Sequence, residues 1–116
     1  MHEVDVMRSA LEAVFRIAAE RHARSVRTIG LQIGALSAVD PEALRFAFRA
    51  LAPGTQAESA SLEIDWVPAA CRCDDCDLVF EPTPPFYLCP QCCLPCDTVI
   101  RGAEMSIAYV EVTNDD

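Results

Sequence analysis

The chain has 116 residues, 52% of them hydrophobic, and a formal net charge of −9 from nine basic residues, all arginine, and eighteen acids. A chain this short forms one small domain, or a domain with a minimodule, and buries little area per residue, so a metal staple is expected. Phosphate backbones repel such a surface unless its basic groups cluster, no apolar run approaches the roughly 18 residues of a membrane span, and without lysine neither a Schiff base nor a Gly-Lys-Ser/Thr phosphate loop can form.

The segment Met1-His2-Glu3-Val4-Asp5 carries acid where a signal peptide carries base, so a cytoplasmic protein is expected. His2 opens a metal reading. A free terminal amine, the amide nitrogen of His2, its imidazole and the amide of Glu3 can wrap a divalent ion in linked chelate rings, a nitrogen-rich planar arrangement that suits nickel(II) or copper(II). Met1 should stay attached, because His2 is too bulky for the usual removal of the initiator. The alternative is a frayed, solvated end.

From Asp5 the apolar residues Met7, Leu11, Val14, Phe15 and Ala18 recur at three- and four-residue steps, predicting a helix that ends near His22-Ala23-Arg24, with His22 a solvated residue interacting with the dipole. Ile29, Leu31 and Ile33 alternate with Thr28, Gly30 and Gln32, a strand over 26–33 packed on one face and closed by Gly34. Asp40-Pro41-Glu42 starts a second helix with a capping acid and a proline at its first position; Leu44, Ala47, Phe48 and Leu51 form its buried stripe, and Pro53-Gly54 stops it. Leu62, Ile64 and Trp66 mark a second strand, ended by Pro68. Periodicity places the aromatics Phe15, Phe46, Phe48 and Trp66 in the core.

From 70 to 100 the composition turns to Cys, Asp and Pro, and all seven cysteines fall within 71–96. Cys73-x-x-Cys76 and Cys89-x-x-Cys92 have the spacing of a two-knuckle tetrathiolate zinc site: each pair sets two sulfurs on one tight turn, and two turns facing each other complete a tetrahedron. Cys93-Leu94-Pro95-Cys96 is a competing second knuckle. Tyr87-Leu88 running into a Pro-stiffened turn favours Cys89 and Cys92, as does a need for a left-handed backbone after each knuckle, which Asp77 meets and Cys93 meets poorly. Cys71 reads as a spare thiol, packed or idle. Disulfides and a redox Cys-x-x-Cys are the rivals; an odd cysteine count and a reducing compartment disfavour stable bridges. Arg72 stands alone among Asp74, Asp75, Asp77, Glu81 and Asp97, which argues against a ribbon that reads nucleic acid.

Met105 to Val112 is strand-like again, with Ile107, Tyr109 and Val110 as candidates for burial. A single late strand cannot stand alone, so it should return to the sheet of the first two. The expected fold is therefore α+β, two helices on a small mixed three-stranded sheet with an inserted zinc-ribbon module. The expected division is 1–69 plus 101–116 as one domain and 70–100 as a zinc-binding domain.

Taken together, Met1-His2-Glu3, Ile33-Gly34-Ala35-Leu36-Ser37, Pro41 to Phe48, the Cys-x-x-Cys pair and Gly102-Ala103-Glu104-Met105 resemble the HypA/HybF family of hydrogenase nickel-incorporation proteins, from residue 1 to about 112. The resemblance implies a non-enzymatic nickel metallochaperone that delivers Ni(II) for maturation of [NiFe]-hydrogenase. Its partners would be a GTPase of that pathway and the hydrogenase large subunit precursor; the charge and the short apolar runs, apart from the resemblance, argue for no nucleic acid and no membrane span. It implies nickel at Met1, His2 and Glu3, and structural Zn(II) at Cys73, Cys76, Cys89 and Cys92. Asp40 stands where some members contribute a further carboxylate; as a residue it reads equally as a helix cap. Gly is common after the knuckles in that family, whereas this chain has Asp77 and Cys93. The alternatives are a zinc-ribbon adaptor in which His2 is inert and a thiol oxidoreductase using Cys93 and Cys96.

Overall fold

The protein is seen in a computed structural model, in which residues 2–114 are described. Its elements are α1 (Glu3–Glu20), β1 (Ser25–Gly34), α2 (Pro41–Leu51), β2 (Ser61–Val67), β3 (Ala70–Cys73), β4 (Leu78–Phe80), β5 (Thr98–Arg101) and β6 (Met105–Thr113). β1 lies at the centre of a mixed sheet ordered β2-β1-β6, parallel to β2 and antiparallel to β6. The short strands of the cysteine-rich segment form a second, antiparallel sheet ordered β4-β3-β5. The fold is thus α+β, two helices on a mixed three-stranded sheet with a ribbon inserted between β2 and β6.

The core follows from two periodicities meeting. Met7, Leu11, Val14 and Ala18 on α1 and Leu44, Ala47 and Phe48 on α2 lie on single helical stripes, and they pack with Ile29, Leu31 and Ile33 of β1. Asp40 caps α2 by accepting the Glu42 N–H at 3.1 Å, with Pro41 at the first position, where a missing N–H costs nothing. No helix among the described residues is long and apolar enough to cross a membrane.

Three local expectations are corrected. The first helix ends at Glu20, earlier than its periodicity implied, and no basic residue occupies its last turn. His22 is exposed, as expected, but it adopts a left-handed backbone, φ +54°, and the N–H groups of His22 and Ala23 bond to the carbonyls of Ala19 and Ala18. That Schellman pattern satisfies the end carbonyls through the backbone, so the role of His22 is conformational.

Phe46 and Trp66 are not core residues: they are 68% and 46% exposed. Phe46 sits two positions beyond Leu44, about 200° round the helix and off the buried stripe. Trp66 lies on the edge strand β2 near its end. Tyr109 is also half-exposed rather than buried, because the β1–β6 register shifts between Gly30 and Leu31 and turns the ring over Gly30 on the face away from the helices.

The two sheets meet at a tight backbone junction. A methyl group on Gly34 would lie 1.9 Å from the Gly102 carbonyl oxygen, and one on Gly102, at φ +109°, would lie 2.6 Å from the Ala69 Cα. Across it, Gly34 N–H donates to the Glu104 carbonyl at 2.7 Å and Leu36 N–H to that of Gly102 at 2.7 Å. The loop after β1, which ends at Asp40, is therefore held against the root of the ribbon.

Candidate metal centres

At the head of α1, His2 is the N-cap residue, with extended backbone (φ −82°, ψ 148°), and its imidazole makes no capping bond. The Val6 N–H donates to the His2 carbonyl, 3.1 Å. Glu3 begins the helix, and its Oε2 accepts the Asp40 backbone N–H at 3.3 Å. That bond, ahead of the residue's own N–H and opposed by partial desolvation, holds the Glu3 carboxyl below the usual range, with nearby His2 contributing. Met1, assigned with them at sequence level, lies outside the described residues. The structure thus brings His2 and Glu3 to the start of α2, with the Asp40 side chain engaged as that helix's cap.

Beside this point runs an open groove lined by His2, Glu3, Val4, Arg8, Ala43 and Phe46, among others. The exposed ring of Phe46 was missed in the sequence. Its offset from the buried stripe was the available signal.

In the ribbon, Cys73, Cys76, Cys89 and Cys92 converge, each offering a sulfur within 4.8 Å of the others. Cys73 and Cys89 are buried; Cys76 and Cys92 are half-buried. The sulfurs of Cys73 and Cys92 are 3.6 Å apart, close to the roughly 3.8 Å edge of a tetrahedron with metal–sulfur arms of about 2.3 Å. The first pair spans the turn between β3 and β4. The second spans a tight turn closed by Cys89 N–H to the Leu94 carbonyl (2.8 Å) and Cys93 N–H to that of Cys89 (2.9 Å).

Left-handed residues follow both knuckles, Asp77 at φ +50° and Cys93 at φ +61°. Cys93 therefore takes the conformation for which its side chain was judged ill suited. Arg72 pairs with the carboxylates of Asp74, at 3.3 Å, and Asp77, bracketing the first knuckle.

The thiols are electrostatically unequal. Cys89 is lowered to about 7, chiefly because the Cys92 N–H points at its sulfur and the Gln91 N–H adds to this against burial. Cys76 is pushed up to about 12 by its hydrogen bond with Cys92 and then by burial. At Cys73 the Cys76 N–H favours the thiolate, but burial and the neighbouring thiols of Cys92 and Cys89 leave the net shift upward. Ionisation is favoured at Cys89 and resisted at Cys73 and Cys76, an opposition that a cation bound among the sulfurs would relieve. A soft-ligand set of four sulfurs with no open position fits zinc in a structural role.

Cys71 is not idle. It is bonded to Cys96, with Cα atoms 5.8 Å apart. The Cys96 N–H reaches the Tyr87 carbonyl at 3.1 Å, and β5 pairs with β3 through Arg72–Thr98 and Cys71–Val99. Chain reversal and strand pairing thereby set Cys96 against Cys71, an adjacency that spacing alone does not reveal.

Two helices on a mixed sheet, carrying a four-thiol ribbon between its strands, define a small metal-binding α+β protein. The family model for HypA, described as hydrogenase/urease nickel incorporation, metallochaperone, matches residues 1–112. A hydrogenase maturation factor HypA from Picosynechococcus sp. is 43% identical over 113 residues, covering 97% of this chain and 99% of the relative. One from Roseiflexus sp. is 35% identical over 116 residues, covering 99% and 94%. The solution structure of the Ni metallochaperone HypA from Helicobacter pylori superposes with a TM-score of 0.69 at 26% identity, covering 99% of this chain and 100% of that one. The chain belongs to the HypA family.

Proposed function

We propose that this protein is a cytoplasmic nickel metallochaperone that binds Ni(II) at Met1, His2 and Glu3 and delivers it for maturation of [NiFe]-hydrogenase. The observation that carries the reading is the uncapped His2 imidazole at an exposed helix start, with Glu3 tied to the Asp40 backbone beside it. A chelate assembled from backbone nitrogens and one imidazole can select nickel by geometry, since a planar nitrogen-rich set suits this ion. The Helicobacter pylori protein named above as a Ni metallochaperone and the hydrogenase maturation relatives support this assignment.

Zinc held by Cys73, Cys76, Cys89 and Cys92 would have a structural role, supplying the ribbon with stability that its short strands lack. On this reading residues 1–69 with 101–116 form the nickel-binding domain and 70–100 the zinc-binding domain, and the protein catalyses no reaction. The acidic surface suits encounter with basic patches on the partners, a GTPase of the maturation pathway and the hydrogenase large subunit precursor.

A zinc-ribbon adaptor without nickel transfer is the second reading. The exposed apolar residues of the ribbon, Phe86 at 72% and Val79 at 52% among them, favour it, since such surface fits protein contact. Calorimetric nickel titration of the native-terminus protein against one bearing an N-terminal extension separates the two. The chaperone reading expects the extension to weaken nickel binding by removing the free amine; equal affinity supports the adaptor.

A further inference from the structure

Cys71 and Cys96 form the disulfide found among the described residues. Both cysteines line a groove of about 300 Å³ together with Leu36, Phe86, Pro95 and Val99. Cys71 is fully buried, with 0% exposure, whereas Cys96 is partly open and Phe86 on the rim is 72% exposed. The bond is therefore approachable from the Cys96 side.

We propose that Cys71–Cys96 is a regulatory disulfide, opened at Cys96 by a dithiol protein reductant of the thioredoxin class that docks on the apolar rim, and that its opening loosens the ribbon's hold on its metal. In a reducing compartment a disulfide persists as a transient, sensing element rather than as a permanent staple. The step balances within the pair of reactants. A reductant thiolate attacks Cys96 Sγ, forming a mixed disulfide, and Cys71 leaves as a thiolate that takes up a proton. The reductant's second thiol then closes on its first and frees Cys96 as a thiol. Two electrons and two protons pass from dithiol to cystine. A partner carrying its own resolving thiol is required because the freed Cys71, buried against Cys96, can attack Cys96 only to restore the original bond, so net reduction needs a second thiol from the reductant.

The consequence for the metal follows from topology. The bond spans 25 residues, and Cys73, Cys76, Cys89 and Cys92 all fall inside that loop. With the loop closed, a metal that loses one sulfur still faces two knuckles tethered at their outer ends, so religation competes with escape; once it is opened, only the β3–β5 pairing holds the second knuckle near β3, and the entropy gained by the freed loop favours escape. The inference goes beyond nickel delivery but rests on the reading of the four thiols as a zinc site.

The test uses the full-length zinc-loaded protein, its metal content measured first, equilibrated in oxidised or reduced glutathione buffer. Native alkylation with peptide mapping locates the disulfide, and transfer of zinc to a chromogenic chelator is timed. A Cys71–Cys96 linked peptide is expected in the oxidised sample, lost on treatment with thioredoxin, its reductase and NADPH, with zinc release at least about tenfold faster afterwards. The Cys71→Ser/Cys96→Ser variant should release at the fast rate in both buffers, and Phe86→Ser should slow reduction by thioredoxin while leaving reduction by dithiothreitol unchanged. Should the double variant fail to fold, the oxidised and reduced native protein carry the comparison. Absence of the linked peptide, a Cys93–Cys96 link in its place, release indifferent to reduction, or thioredoxin reduction indifferent to Phe86→Ser overturns the proposal. Protein holding no zinc in either buffer overturns the zinc reading itself, and the prior metal measurement distinguishes that failure from failure of the switch.

Discussion

Tyr109 shows how one side chain can settle on the less obvious face of a sheet. Its ring covers Gly30, where a methyl group would lie 2.2 Å from a ring carbon, and its hydroxyl donates to Glu63 Oε1 at 2.6 Å. That bond, then desolvation and the charges of Glu63 and Glu111, push the phenol from 10.0 up to about 12. An acid whose folded value is raised contributes stability fully below its unfolded value and loses it as pH rises through the folded one, so the window here runs from about 10 to about 12. Glu63→Ala should return Tyr109 toward the ordinary phenol range. Ultraviolet titration of the phenolate checks this, and an unchanged high value would mean that another group holds the proton.

Among the elements, the junction between the sheets is the least tolerant of change. Gly34→Ala would drive a methyl into the backbone carbonyl of Gly102, which has no rotamer by which to yield. A loss of about 1–3 kcal/mol is expected from urea unfolding, the range for forced overpacking; an unchanged midpoint would show that the junction opens freely. In the ribbon, Cys89→Ala removes a thiol that the Cys92 and Gln91 backbone N–H groups dispose to ionise, and one wall of a buried cluster. It should abolish tight zinc binding and loosen residues 70–100, while the core built from α1, α2 and β1 keeps its helical circular dichroism. Full zinc retention in Cys89→Ala would shift the ligand set to include Cys93, and loss of all helical signal would contradict a separately folded ribbon.

Across the whole molecule, what the sequence discloses and what it conceals divide along the range of the interactions. The stripe from Met7 to Ala18, the Asp40-Pro41 cap and the alternation through Ile29, Leu31 and Ile33 are local patterns, and each element they predict is present. The return of Met105–Thr113 to β1 was legible too, because a lone strand needs partners. Phe46 and Trp66 were misplaced because hydrophobicity was counted without the angle around the helix or the position in the sheet. The left-handed His22 and the Cys71–Cys96 bond depend on backbone paths that spacing does not carry. Of the metal-binding residues read from the sequence, the four knuckle thiols lie together and His2 and Glu3 lie side by side; their ligand roles are matters for metal measurement.

Nickel chelation at the head of α1, independent of zinc in the ribbon, is tested by calorimetric titration of Ni(II) into zinc-loaded wild-type and His2→Ala proteins with native termini, the zinc content measured for both. His2 makes no capping bond, so its removal should leave the helix and the ribbon intact. The expected result is loss of the high-affinity nickel site in His2→Ala with zinc content and circular dichroism unchanged. Equal nickel affinity in the two proteins would contradict it and give first place to the adaptor reading.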